Sequence, residues 1–134
     1  MSMKTKVSWK NGADYQAELS NGSHIISGDK GKKEAMNPPE MLLASLGTCS
    51  GLFLRPELKK IGLECNNLEI ILEGKKAEPP QLFSEITLYY HLESEIKKTE
   101  LETAIEESHK KCFIRQSLHP EIEINSVIKL KGEA

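Results

Sequence analysis

The sequence predicts an α+β fold with the element order βββ-α-ββ-α-β, and three observations lead to it. Residues 37–54, NPPEMLLASLGTCSGLFL, are apolar on nearly every side over a helical length. Residues 4–28 alternate short β-favouring stretches with two Asn-Gly pairs. The second half of the chain places β-type runs on both sides of one amphipathic helical pattern that opens at Thr99.

In chain order, Asn11-Gly12 and Asn21-Gly22 favour the positive φ values of tight turns, so residues 4–28 read as a three-stranded meander. Its apolar side chains, among them Val7, Trp9, Tyr15 and Ile25, are too few to bury both faces of a sheet. The meander needs a further surface. Asp29–Met36 is polar and reads as the loop leading to the central helix. There Asn37 is an N-cap, Pro38 and Pro39 suit a first turn that needs no amide partners, and Glu40 sits at the positive end of the dipole. A helix without a polar face has to be surrounded by protein, and Gly47 and Gly51, four apart, allow a neighbouring backbone to come close.

Pro56 removes the amide that would bond back to Leu52, which predicts a kink or restart there, and Gly62 is the C-terminal stop. Residues 67–73 and 82–92 read as two strands joined across the Pro79-Pro80 segment. Thr99 with Glu102 makes a capping-box pattern. Leu101, Ala104, Ile105, Ser108 and Cys112 then share one helical face, so Cys112 points inward. Residues 121–130 alternate as a half-buried strand with Ile122, Ile124, Ile128 and Leu130 on one face.

With 134 residues and an ordinary apolar fraction, the chain is expected to form a single domain over 1–134. A formal net charge of −2 without a concentrated Lys/Arg segment proposes neither nucleic acid nor an anionic membrane as partner. The first residues lack an apolar signal region and no segment offers about 18 uninterrupted apolar residues, which places the protein in the cytoplasm. Three cysteines without a CxxC pair do not make a disulfide framework; in a reducing compartment each thiol is packing or chemistry.

The run NPPEMLLASLGTCSG, followed 63 positions after Cys49 by the helix-borne HKKCFIRQSL, resembles the OsmC/Ohr family, named for osmotically inducible protein C and organic hydroperoxide resistance protein. The resemblance spans essentially the whole chain, and the two helix-borne thiols together with the Asn-Pro opening carry it. It implies an intertwined homodimer in which the N-terminal strands of one subunit join the sheet of the other and the long central helices form the heart of the interface. It also implies reduction of hydroperoxides by two cysteines, the thiol matching Cys49 attacking the peroxide and that matching Cys112 resolving the sulfenic acid. Such chemistry needs a thiolate, access for the peroxide and a second thiol near enough to condense before further oxidation.

The chain departs from the family in the group that activates the first thiol. Studied members use an arginine in the N-terminal half, held by a glutamate directly after Asn-Pro; here no arginine precedes Arg55, Pro39 takes the glutamate's place, and Glu40 follows one residue later. Glu40 is therefore the candidate carboxylate, and it lies roughly 100° around the helix from the family position. Candidate cations are His24, Lys30, Lys32, Lys33 and Arg115. Phe113, Ile114 and Arg115 also replace the family's small, proline-containing segment after the resolving cysteine.

Cys65 has no partner suggested by spacing, and the dispersed His91, His109 and His119 offer no paired ligand spacing for zinc. No Gly-rich phosphate loop, nucleophile elbow or HExxH motif proposes a cofactor or hydrolysis. The first expectation is thus a thiol-dependent organic hydroperoxide reductase using Cys49 and Cys112, with electrons from a small or protein dithiol. The alternative is a non-catalytic dimer that binds a small apolar ligand near Cys49. A third reading treats both thiols as core filler.

Overall fold

The computed structural model describes residues 3–27, 37–63, 67–93 and 95–130, with residues 26 and 27 as backbone only. Lys30, Lys32, Lys33 and Cys65 lie outside the described residues. The chain forms two compact units, Met1–Leu42 and Leu43–Ala134.

The first unit holds an antiparallel sheet of β1 (Lys6–Asn11), β2 (Asp14–Glu18) and β3 (His24–Ser27) in the order β1-β2-β3. Both Asn-Gly turns form as the sequence predicts. Gly12 and Gly22 take φ values of +50° and +87°, a region that costs a residue with a Cβ 1–2 kcal/mol on the order of magnitude. Val7 and Trp9 are largely exposed and Tyr15 is 41% exposed. In the single chain, therefore, this sheet leaves apolar side chains in water.

Helix α1 (Pro38–Lys60) starts in the first unit and runs on through the second. Its start is a reciprocal box. The Asn37 Oδ1 accepts from the Glu40 N–H at 3.0 Å, while the Asn37 side-chain amide donates to Glu40 Oε1. Of the kink or restart expected at Pro56, the restart does not occur: the helix is uninterrupted through it. Leu54, Glu57 and Leu58 are buried on both sides of Pro56, and this packing holds the turn that lacks one amide bond. Gly62 ends the helix at φ +81°, its N–H donating to the Lys59 carbonyl and that of Leu63 to the Leu58 carbonyl, the pairing of a Schellman stop.

The second unit carries a sheet of β4 (Leu68–Lys76), β5 (Phe83–Leu92) and β6 (Glu123–Leu130) in the order β4-β5-β6. β4 and β5 are antiparallel; β6 joins β5 in parallel. A parallel neighbour requires a crossover, which α2 (Lys98–Lys111) and the short α3 (Phe113–Ser117) supply. The sequence reading carries residues 113–118 on the same helix as Cys112; the structure breaks that helix at Cys112, which is extended at φ −69° and ψ 108°, and α3 starts anew. Register places Leu72 opposite Leu88 and Ile70 opposite Tyr90, with Ser126 and Ile128 next to the same two β5 residues. Ile86, Leu88, Tyr90 and Leu92 on this face are all buried. The opposite face alternates to Glu69, Ile71 and Glu73, all exposed.

Leu46, Leu54 and Leu58 of α1 and Leu101, Ala104 and Ile105 of α2 complete the core. A Cβ on Gly47 would lie 2.6 Å from Leu72 Cδ1, so glycine permits this close approach of α1 to β4, as its spacing to Gly51 suggests. The burial expected all round α1 is not met within one chain, because Leu52 remains 67% exposed. The start of α2 also differs from expectation. Lys97, not Thr99, is the N-cap, and no side chain caps the helix; the Lys97 carbonyl instead accepts from the N–H groups of Glu100 and Leu101.

Candidate active site

Cys49 comes from the middle of α1 and Cys112 is the residue that ends α2 and precedes α3. Periodicity directs Cys112 inward with Ser108, Ile105 and Leu101, and all four are buried, Cys112 with no exposed surface. Cys49 is partly exposed. The two free thiols are neighbours, close enough for Cys49 to act on the Cys112 thiol. Ser50, the next residue on α1, places its Oγ 4.0 Å from Cys112 Sγ and is itself buried.

Burial is the main influence on Cys112 and pushes its thiol up; the Cys49 thiol adds to this, while the Arg115 backbone N–H and the Ser50 hydroxyl work the other way. At rest Cys112 is therefore a neutral thiol near pH 7.

Arg115, in α3, brings its charge into this interior. Its interactions reach Tyr90, Cys112 and His109, and its Nη1 is buried with no hydrogen-bond partner among the described residues. Burial holds the guanidinium pKa below its usual value, opposed by Tyr90 and Cys112. A guanidinium stays charged through such a shift, so this is a fixed cation. Of the cations considered from the sequence, His24 stands exposed at the start of β3.

Behind Cys112 the polar groups continue. Tyr90 Oη and Ser126 Oγ each lie 3.3 Å from His109 Nε2, on α2. Burial raises the Tyr90 pKa, with Ser50 and Arg115 opposing. His109 is lowered to about 4, first by burial and then by Arg115. It is neutral in the folded protein near pH 7, so Nε2 can accept a hydrogen bond from either hydroxyl. Because its folded pKa lies below its unfolded one, its contribution is complete above about pH 6.5 and is lost as pH falls toward about 4. Allowing for partial exposure, His109→Gln should flatten the acid limb of a denaturation series between these values by about 1–2 kcal/mol. An unchanged limb would place the titrating group elsewhere.

Glu57 joins the carriers of the two thiols. Buried on α1, it accepts from Lys111, next to Cys112, and from Lys60 at 3.2 Å. These bonds, Lys111 first, hold its carboxyl below the usual range. Among the described residues, no group of three or more His, Cys, Asp or Glu side chains is placed to hold a metal ion.

The structure thus brings Cys49 and Cys112 together; Glu40, in the first unit, is engaged in the helix-start box with Asn37. Sequence reasoning does not pick out Ser50, Tyr90 or Glu57. Ser50 is adjacent to the candidate nucleophile and Tyr90 sits on the apolar side of an alternating strand, but neither carries a spacing signal of its own.

Two cavities adjoin the helices. An open apolar groove of about 440 Å³ runs between α1 and β4, lined by Gly47, Gly51, Leu52, Leu68, Ile70 and Leu72 among others. A second, of about 620 Å³, lies between α2, α3 and β6 and includes His109, Arg115 and Ser126. Neither sulfur lines these two cavities; Cys49 is partly exposed.

Residues 30–127 match the family model described as OsmC-like protein. The chain belongs to the OsmC-like family. Among relatives of known sequence, protein YhfA of Escherichia coli K12 is 28% identical over 89 residues, 66% of each chain, so the match spans just under two thirds of that relative's length. A hypothetical protein of Aquifex aeolicus, 28% identical, superposes with a TM-score of 0.81 over 98% of both chains. The OsmC-like protein of Mycoplasma pneumoniae gives 0.85 at 18% identity, over 97% of both chains. The organic hydroperoxide resistance protein OhrB of Bacillus subtilis gives 0.72 at 15% identity, covering 96% of this chain and 98% of that one. The last two likenesses concern the fold, and they agree with the α+β OsmC-like architecture expected from the sequence.

Proposed function

We propose that this OsmC-like protein is a cytoplasmic, thiol-dependent organic hydroperoxide reductase that works as a homodimer and is recharged by a small or protein dithiol. The observation that carries the reading is the meeting of a partly exposed thiol on α1 with a fully buried one at the end of α2. In the first step the Cys49 thiolate attacks a peroxide oxygen, the O–O bond breaks, and the other oxygen leaves as the alcohol after taking a proton. Cys112 then attacks the sulfenic sulfur, water departs, and the Cys49–Cys112 disulfide holds the two electrons' worth of oxidation. The buried resolving thiol is protected from direct oxidation, and the exposed one meets the substrate.

Glu40 enters this proposal as a positioning group: through Asn37 it fixes the start of the helix that carries Cys49. The structural likeness to proteins named for hydroperoxide resistance supports the same reading.

The test is a titration with one equivalent of cumene hydroperoxide followed by mass spectrometry under non-reducing conditions. An intrasubunit Cys49–Cys112 disulfide is expected. Slow oxidation spread evenly over all three cysteines would favour the non-catalytic, ligand-binding alternative. In Cys112→Ser, Cys49 should instead pass from sulfenic to sulfinic acid as peroxide is added in excess.

The homodimer is supported by apolar surface left uncovered in one chain: Leu52 beside the α1–β4 groove, and Val7 and Trp9 on β1. Leu52→Glu is expected to move the protein from dimer to monomer in sedimentation at micromolar concentration. An unaltered mass would show that this face lies outside the interface.

A further inference from the structure

We propose that the cavity between α2, α3 and β6 binds a small organic monocarboxylate, its carboxylate held by Arg115 and Ser126 and its apolar body lying against Ile105 and Ile128. The site is separate from the thiol chemistry and does not depend on it, since neither sulfur lines this cavity.

Arg115 is the reason to expect an anion. A guanidinium taken out of water needs a counter-ion or a full set of hydrogen bonds, because its lost hydration is otherwise not replaced. Arg115 has neither among the described residues: no ion pair there includes it, and its Nη1 is buried without an acceptor. The acidic groups that act on it are the Tyr90 phenol and the Cys112 thiol, and both stay protonated near pH 7. The same side chain lines a cavity of about 620 Å³. A carboxylate entering there would supply the missing charge in the forked geometry that a guanidinium favours.

Ser126 supplies a second donor. His109 is neutral near pH 7, and as an acceptor its Nε2 offers one lone pair, yet the hydroxyls of Tyr90 and Ser126 both stand 3.3 Å from it. Only one of them can donate to it fully. Tyr90 is buried, whereas Ser126 is exposed and lines the same cavity as Arg115. With Tyr90 donating to the imidazole, the Ser126 hydroxyl is left to donate to a ligand oxygen.

The rest of the lining sets the class of anion. Glu102 and Glu106 offset Arg115 and Lys98, so a dianion such as phosphate gains little from the overall charge. A single negative charge placed at Arg115 is what this lining accepts. Ile105 and Ile128 are buried and border the cavity, which suits an apolar body attached to the carboxylate.

The probe is sodium benzoate, titrated at pH 7 into the reduced full chain and followed by heteronuclear NMR. Saturable binding in the millimolar range or tighter is expected, shifting the Arg115 side-chain N–H and the backbone amides of His109 and Ser126. Benzyl alcohol, which keeps the ring and loses the charge, should bind at least roughly tenfold more weakly. Inorganic phosphate should also bind more weakly than benzoate. Arg115→Gln is expected to weaken benzoate on the order of tenfold or more, and Ser126→Ala severalfold. Arg115→Lys should recover part of the loss, because the charge remains and the fork does not. If Arg115→Gln does not fold, Arg115→Lys and Ser126→Ala carry the same comparison.

No saturable shift up to about 20 mM benzoate, shifts confined to the α1–β4 groove, equal binding of benzyl alcohol, or wild-type affinity in these variants would overturn the proposal. Phosphate binding more tightly than benzoate would overturn the assignment of the ligand as a monocarboxylate.

Discussion

Replacing Cys49 by serine is expected to lower hydroperoxide consumption by at least roughly a thousandfold while the protein remains folded. A serine hydroxyl fits the space of the thiol on α1, where the side chain is only partly buried, so the cost to stability is small. What is lost is the group that can become a good nucleophile near neutral pH. Cys112 should not replace it, because it is fully buried and burial keeps it protonated. The measurement is peroxide disappearance under saturating dithiothreitol, with circular dichroism to confirm folding. Consumption at the wild-type rate would rule out Cys49 as the attacking thiol. Cys112→Ser separates the two roles, because it should spare the first turnover and remove those that follow.

The largest effect on stability is expected from Leu54→Ala, at about 2–5 kcal/mol. Leu54 is fully buried on α1, one turn after Ser50, and with Leu46 and Leu58 it forms the apolar stripe of the helix in the second unit. Truncation there removes the transfer free energy of the side chain and leaves a cavity that a helix held by Gly47 against Leu72 cannot readily close. In thermal unfolding the change should lower Tm by roughly 10 °C. The comparison is Leu52→Ala, two residues earlier and 67% exposed in one chain. If α1 faces a second subunit, the loss in Leu52→Ala should grow as the protein is diluted, whereas that of Leu54→Ala should not. A loss below about 1 kcal/mol for Leu54→Ala would contradict the packing described for α1.

How much of this was readable beforehand differs from element to element. The meander, α1, the β4–β5 pair and the inward face of α2 follow from local patterns: Asn-Gly turns, an all-apolar run opened by Asn-Pro, alternation, and helical spacing. The capping box at Thr99 and the restart at Pro56 are local rules that tertiary packing overrode. The break between α2 and α3 is not legible, because helical spacing alone carries residues 109–118 on one helix and no Gly or Pro marks the extended Cys112.

The candidate site divides in the same way. Cys112 was placed inward by its spacing from Leu101, Ile105 and Ser108, and its association with Cys49 was expected from the family resemblance alone. Arg115 is one candidate cation among several in the sequence, placed near Cys112 only by its spacing of three residues. Its selection depends on where α3 leaves the end of α2.

By itself the sequence determined the α+β class, the order and approximate span of the main elements, and the thiols available for chemistry, because these depend on patterns within a few turns or strand residues. Only the tertiary structure decided that β6 runs parallel to β5, that Ser50 and Arg115 adjoin Cys112, and that Tyr90 and Ser126 both meet His109. Those relations join residues tens of positions apart. They are fixed by strand register and by the path of the crossover, for which no local stretch of residues holds the information.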